Sequence, residues 1–138
     1  MTPEALAALH ARAFTMPPPW SAAAFRGLLE SEGVFLCTAA SGFALGRAVA
    51  GEAELLTIAV EPAARGQGTG RALLDAFEAE AAARGAATAF LEVAADNGAA
   101  LALYDRAGYR ETARRRGYYR GLEGPVDAAI LARDLTPA

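Results

Sequence analysis

The chain predicts an α+β (α/β) fold, a mixed sheet with helices on its faces. Three observations predict it. Apolar runs of strand character alternate with helical stretches along the sequence. The run Leu55–Val60 feeds through a glycine-spaced loop, Arg65-Gly66-Gln67-Gly68-Thr69-Gly70, into an amphipathic helix. At 138 residues the chain can bury one core of ordinary size, so a single domain over residues 1–138 is expected.

The elements follow in order. Thr2 is placed to cap a first helix, with Pro3 in its first turn and Leu6, Leu9 and Ala13 along it. Met16-Pro17-Pro18-Pro19 breaks that helix, and Ser21 caps a second one to about Glu30. Strands are expected near Val34–Ala39, Phe43–Ala50 and Ala53–Val60, with turns at Ser41-Gly42 and at Gly51. A helix over Thr69–Arg84 ends at Gly85, a C-terminal cap residue. A strand over Ala87–Val93, a helix over about Gly98–Arg106 stopped by Gly108, and strands near Tyr109–Arg115 and Asp127–Leu135 complete the order, leaving a loop over residues 116–125.

Composition excludes several classes. Hydrophobic content of 54% with 21% charged residues is that of a globular chain, although 37 alanines make the large apolar content modest. A net charge of −3 argues against a general nucleic-acid binder; Arg114-Arg115-Arg116 reads as a solvated strand end. The single Cys37 lies in the apolar run Val34–Cys37, where it reads as a small core residue and not a nucleophile. No transmembrane-length stretch or signal peptide is evident, so a cytoplasmic location with no membrane partner is expected. One His and one Cys cannot supply a metal set. His10 reads as an exposed or packed histidine of the first helix.

The glycine-spaced loop carries the chemistry. A loop of this kind before a helix turns unpaired backbone N–H groups toward the positive end of the helix dipole, a site for phosphate or pyrophosphate. Two familiar phosphate loops fail on counting. A Walker loop needs Gly-Lys, and all 13 basic residues here are arginine. A G-x-G-x-x-G fingerprint fails because its third glycine falls on Arg71 or on Leu73. What remains, Arg65-x-x-Gly68-x-Gly70 after Ile58-Ala59-Val60, resembles the acyl-CoA pyrophosphate loop of the GNAT (Gcn5-related) N-acetyltransferases.

The second half narrows the resemblance. Leu91-Glu92-Val93, Asn97, Ala100-Leu101-Ala102-Leu103-Tyr104 and Gly108-Tyr109 fall in the order found in the RimI-like branch, the bacterial ribosomal-protein alanine N-acetyltransferases. Trp20-Ser21 with Phe25, Gly42-Phe43, Arg115, Tyr118-Tyr119 and Asp127-Ala128-x-Ile130 extend it from about Ala13 to Leu131. The resemblance implies the GNAT fold, a mostly antiparallel mixed sheet, here without the strand that usually opens it. It implies acetyl-CoA as acyl donor and a protein N-terminal α-amine as acceptor, a ribosomal protein foremost. A small amine as acceptor, or a non-catalytic acyl-CoA-binding protein, are the alternatives.

The same resemblance assigns the residues. Glu92, on an otherwise apolar strand, is the implied general base acting through water, with Glu54 a lesser candidate. Tyr104 is the implied general acid toward the departing thiolate, which gives direct transfer in a ternary complex. Coenzyme A would lie along the backbone of Ile58, Ala59 and Val60, over the loop Arg65, Gly66, Gln67, Gly68, Thr69, Gly70 and Arg71, and against Asn97. Trp20, Tyr118 and Tyr119 are expected to border the acceptor, with specificity carried by the stretches at 16–20 and 116–125. The expected state is a monomer or weak dimer.

Overall fold

This computed structural model describes residues 1–14 and 19–135. Two helices come first: α1 (Pro3–Ala13), whose first-turn N–H at Ala5 donates to Thr2 Oγ1 at 3.1 Å, and α2 (Ala22–Leu29), where Ala24 N–H donates to Ser21 Oγ at 3.1 Å. Both caps satisfy donors that a helix start leaves unpaired. Then come β1 (Val34–Ala39), β2 (Gly42–Val49), β3 (Glu52–Val60), α3 (Thr69–Ala83), β4 (Thr88–Ala94), α4 (Gly98–Arg106), β5 (Arg110–Gly121) and β6 (Gly124–Asp134). A short 3-10 turn at Pro62–Ala64 leads from β3 into the glycine loop. Gly85 (φ 89°) and Gly108 (φ 91°) end α3 and α4 in the left-handed conformation that a glycine adopts without steric cost.

The six strands form one mixed sheet in the order β1-β2-β3-β4-β6-β5. Every neighbouring pair is antiparallel except β3 and β4, which α3 connects in parallel. The expected fold class holds, and no strand precedes α1 among the described residues.

Each face of the sheet carries its own apolar cluster. On one, α3 sets Leu73, Leu74, Phe77 and Ala81 against Ala53, Leu55, Ala89, Leu91 and Val93, joined by Tyr104 and Tyr109. On the other, Leu6 and Leu9 of α1 and Phe25 of α2 meet Phe43, Leu45 and Ala59. Burying each such large side chain contributes about 1.5–3 kcal/mol. Gly46 allows α3 its close approach, because a Cβ there would lie 2.7 Å from ring atoms of both Phe35 and Phe77.

A bulge in β3 decides which residues face which cluster. The β2–β3 register passes from Leu45↔Thr57 to Gly46↔Leu55, leaving Leu56 as the extra residue. Leu55 and Ile58 consequently both pack toward α3, while Thr57 and Ala59 turn toward α1 and α2.

The last hairpin departs from the sequence expectation. Residues 116–121 continue β5 where a loop was expected, and β6 begins at Gly124. The strand is hidden in the sequence because its alternation is broken twice, near Thr112 and between Arg115 and Tyr119. At the second break Gly117 takes φ 59° and its N–H donates to Asp127 Oδ1 at 2.9 Å, while Arg114 reaches the other carboxylate oxygen at 3.4 Å. The Gly117 N–H, then Arg114, hold the Asp127 carboxyl below its usual pKa.

Candidate active site

The parallel ladder between β3 and β4 runs from Glu52↔Thr88 to Leu55↔Leu91 and stops, although β3 continues to Val60 and β4 to Ala94. Their outer neighbours stay paired throughout, β2 to β3 as far as Gly42↔Val60 and β4 to β6 as far as Ala94↔Ala128. The two central strands therefore part, and their facing edges carry backbone groups that no strand among the described residues satisfies. An extended amide-bearing ligand can supply that pairing as an added strand would. Ile58, Ala59 and Val60 lie on β3 beyond the last β3–β4 pair.

The loop stands beside the gap. Among the described residues, no protein acceptor takes the backbone N–H groups of Gly66, Gln67, Gly68, Thr69, Gly70 and Arg71, and Ala72 N–H is the first to bond, to Gly68 O at 3.0 Å. Gly66 (φ 80°) and Gly68 (φ 82°) take the left-handed conformation, and a Cβ at either would meet nothing within 4 Å. A Cβ at Gly70 would lie 3.6 Å from Leu103 of α4 and 3.9 Å from Val60, so loop, α4 and the end of β3 converge. This fits a pyrophosphate: open space over unpaired donors at the start of a 15-residue helix.

Two arginines of the loop do not join it through their side chains. Arg65 donates to the Ala13 carbonyl at the end of α1 (2.9 Å), and Arg71 pairs with Asp75 one turn along α3 (3.0 Å). Each prefers a local acceptor to an open cradle, so Arg71 offers the loop its N–H alone.

Glu92 and Tyr104 fall on opposite faces. Ala89, Leu91 and Val93 pack toward α3, so alternation turns Glu92 to the α1–α2 face. There its carboxylate, 27% exposed, meets Arg115 Nε at 3.3 Å. The Arg115 guanidinium lies 5.0 Å over the Tyr118 ring, and Tyr118 meets Tyr119 edge-on at 5.1 Å. Burial, then the Glu92 charge, pushes the Tyr119 phenol up to about 12. Glu92, Arg115, Tyr118 and Tyr119 thus form one cluster on the α1–α2 face of the sheet.

Tyr104, 5% exposed, lies in the α3–α4 cluster with its ring edge-on to Tyr109 at 5.8 Å. Its hydroxyl makes no protein hydrogen bond among the described residues, and burial pushes its pKa up, so it stays protonated. Asn97 caps α4, accepting from Ala100 N–H at 3.1 Å, which leaves its amide N–H₂ free for a ligand. Glu54 lies where β3 and β4 are still paired, opposite Phe90 and 3.4 Å from Arg47.

Trp20 is half-buried, its ring stacked 5.1 Å from His10 and its backbone N–H donating to His10 Nδ1 at 3.1 Å. Residues 16–18 of the expected acceptor stretch lie outside the described residues. Of the two readings left open for His10, exposed or packed, the packed one holds: it is 1% exposed and bonds Thr57 Oγ1 through Nε2 at 3.0 Å. The available signal was its place on the apolar stripe of α1, next to Leu9 and four residues after Leu6.

The profile of the acetyltransferase (GNAT) family matches residues 6–109. The chain belongs to the GNAT family. Its relatives include the ribosomal protein bS18-alanine N-acetyltransferase of Escherichia coli K12, 47% identical over 92 residues. That match covers 67% of this chain and only 62% of the relative's own length. The N-alpha-acetyltransferase RimI of Mycobacterium tuberculosis is 41% identical over 137 residues, 93% of this chain and 84% of the relative. The crystal structure of the Escherichia coli ribosomal-protein-S18-alanine N-acetyltransferase superposes with a TM-score of 0.87 at 37% identity, covering 99% of this chain and 89% of that one. GNAT acetyltransferases take their acyl group from acetyl-CoA, and the parted strands and donor-rich loop fit that donor.

Proposed function

We propose that the protein is an acetyl-CoA-dependent N-acetyltransferase that acetylates a protein N-terminal α-amine, with a ribosomal protein as its leading substrate. The observation that carries this reading is the gap between β3 and β4, with an anion loop at one side and Glu92 and Tyr104 on its two faces. The relatives named for acetylating the alanine terminus of bS18 supply the acceptor class.

Acetyl-CoA would supply the activated acyl group as a thioester. The pantetheine amides would pair with the open edge of β3 at Ile58–Val60, the pyrophosphate would take the N–H groups of Gly66–Arg71, and Asn97 would donate to the arm. Glu92 receives the proton of the acceptor amine through a water. An α-amine, with pKa near 8 against about 10.4 for lysine, needs less help to lose it. The Tyr104 hydroxyl, held protonated by burial, donates its proton toward the leaving sulfur.

Transfer is direct in this scheme. Cys37 lies on β1, at the far edge of the sheet from the gap, and burial raises its thiol pKa, the reverse of what a nucleophile needs. No helix among the described residues is long and apolar enough to cross a membrane.

The test is free-thiol release from acetyl-CoA across peptides beginning with Ala, Ser, Thr and Met, with mass spectrometry locating the acetyl group. Acetylation of the α-amine of an Ala or Ser peptide is expected. Activity on a free amine such as spermidine with none on peptides would overturn the acceptor while leaving the donor site standing.

A further inference from the structure

His10 binds two separate parts of the molecule with its two ring nitrogens. Nδ1 accepts the Trp20 backbone N–H at 3.1 Å, so that nitrogen carries no proton. Nε2 therefore holds the ring's one hydrogen and donates it to Thr57 Oγ1 at 3.0 Å. The ring is stacked between Phe14 (4.4 Å) and Trp20 (5.1 Å), with Phe25 edge-on at 5.4 Å. Thr57 directly follows the bulge residue Leu56 and precedes Ile58, the first residue of the proposed donor strand.

We infer that His10 is a positioning residue for acceptor binding, seating the Trp20 segment on the β3 bulge so that the acceptor entrance is held in register with the donor strand. The inference rests on the acceptor side proposed above. A neutral imidazole suits this task because it offers one acceptor and one donor on opposite sides of a flat ring that stacks on aromatics. The Nε2–H bond to Thr57 is the coupling element. Without the Thr57 hydroxyl, Nε2–H has no acceptor in a buried site, and the ring gains by rotating toward another one. That rotation removes the acceptor for the Trp20 backbone N–H and frees the Trp20 segment.

The experiment compares wild type, Thr57→Val, Thr57→Ser and His10→Phe. Trp20 is the chain's single tryptophan, so its fluorescence reports the loop directly. In Thr57→Val the emission should shift to the red and the acceptor KM should rise roughly tenfold, the acetyl-CoA KM staying within about twofold. Thr57→Ser should restore both. His10→Phe should behave as Thr57→Val does, and if it fails to fold the threonine pair still decides.

Emission and acceptor KM both unchanged in folded Thr57→Val, or one moving without the other, would overturn the inference. A fall in Tm alone, the signature of a purely structural histidine, would do the same. If wild type acetylates a free amine and no peptide, the N-terminal reading falls and the series on that amine still decides the role of His10. If it acetylates nothing, unchanged Trp20 emission in Thr57→Val overturns the inference and a red shift reversed by Thr57→Ser upholds the seating.

Discussion

Arg115 reaches from β5 across β6 to place its Nε 3.3 Å from the Glu92 carboxylate on β4. In the proposed reaction an acceptor ammonium would compete with this guanidinium for the Glu92 carboxylate. With Arg115 55% and Glu92 27% exposed, such a pair contributes only about 0–1 kcal/mol, so an incoming cation displaces it at little cost. Glu92 is thus held in place by a partner that yields.

Replacing Glu92 by Gln should therefore cost activity and not stability. As the group that takes the amine proton, its loss should lower kcat by roughly 10²–10⁴-fold, most severely at and below neutral pH where the amine is protonated. The melting temperature should stay within a few degrees of wild type, because the exposed ion pair adds about 1 kcal/mol at most. Steady-state kinetics against pH, beside a thermal melt, checks both. Near-normal turnover would move the base to Glu54.

Tyr104→Phe separates the hydroxyl from the ring. The ring keeps its contact with Tyr109 and its burial, and the hydroxyl has no partner among the described residues to leave unsatisfied. Turnover should fall roughly 10²–10⁴-fold while acetyl-CoA affinity, measured by calorimetry, changes little. A variant with normal turnover would remove Tyr104 from the proton path.

The loop makes a paired prediction at two glycines. A side chain at Gly68 meets no protein atom but must adopt φ 82°, which costs about 1–2 kcal/mol, and it would fill the space over the free N–H groups. Gly70 is helical, and a Cβ there makes only ordinary contacts, 3.6 Å to Leu103. Acetyl-CoA at about 100 times its Kd should stabilise wild type by about 2.7 kcal/mol. Gly70→Ala should keep that gain and Gly68→Val should lose it. A thermal-shift titration with acetyl-CoA, and with ATP as control, decides.

Much of this was legible where the cause is local. Thr2, Ser21, Gly85 and Gly108 announce helix ends because capping acts within a few residues. The loop announced itself by glycine spacing. Long-range causes left no mark. The bulge at Leu56 sets which side of β3 faces the gap, yet only pairing with β2 reveals it. The continuation of β5 past Arg115 depends on an aspartate ten residues beyond Gly117, across the hairpin. That Arg115 partners Glu92, and that Tyr104 lies on the opposite face, follows from strand order, which the sequence does not carry.

His10 should give the fold an acid-sensitive step. Burial lowers its pKa from 6.5 to about 4, so the unfolded chain takes up a proton that the folded chain refuses. Stability from this group is complete above about pH 6.5 and is lost as pH falls toward 4, a loss on the order of 3 kcal/mol. Urea unfolding of wild type and His10→Phe at pH 7.5, 5.5 and 4.5 (roughly the window of the titration) measures it. The wild-type free energy should fall more steeply with acid than the variant's, and parallel slopes would refute the assignment.

The acceptor prediction concerns Tyr119. Its ring stands on the Glu92 face with Tyr118, and Val126 opposite it fixes its level on the hairpin. A peptide entering between the Trp20 segment and this hairpin would set its first side chain against that wall, which favours small residues. Peptides beginning with Ala or Ser should exceed those beginning with Leu or Lys in kcat/KM. Enlarging a side chain against a closed pocket costs about 1–3 kcal/mol, which corresponds to roughly 10–200-fold discrimination. Tyr119→Ala should remove the wall, raising kcat/KM for Leu-initial peptides relative to Ala-initial ones, while acetyl-CoA, proposed to lie along β3 and the glycine loop, keeps its affinity. An unchanged preference order in Tyr119→Ala would place the specificity wall elsewhere, leaving Tyr118 and the Trp20 segment as the elements to truncate next.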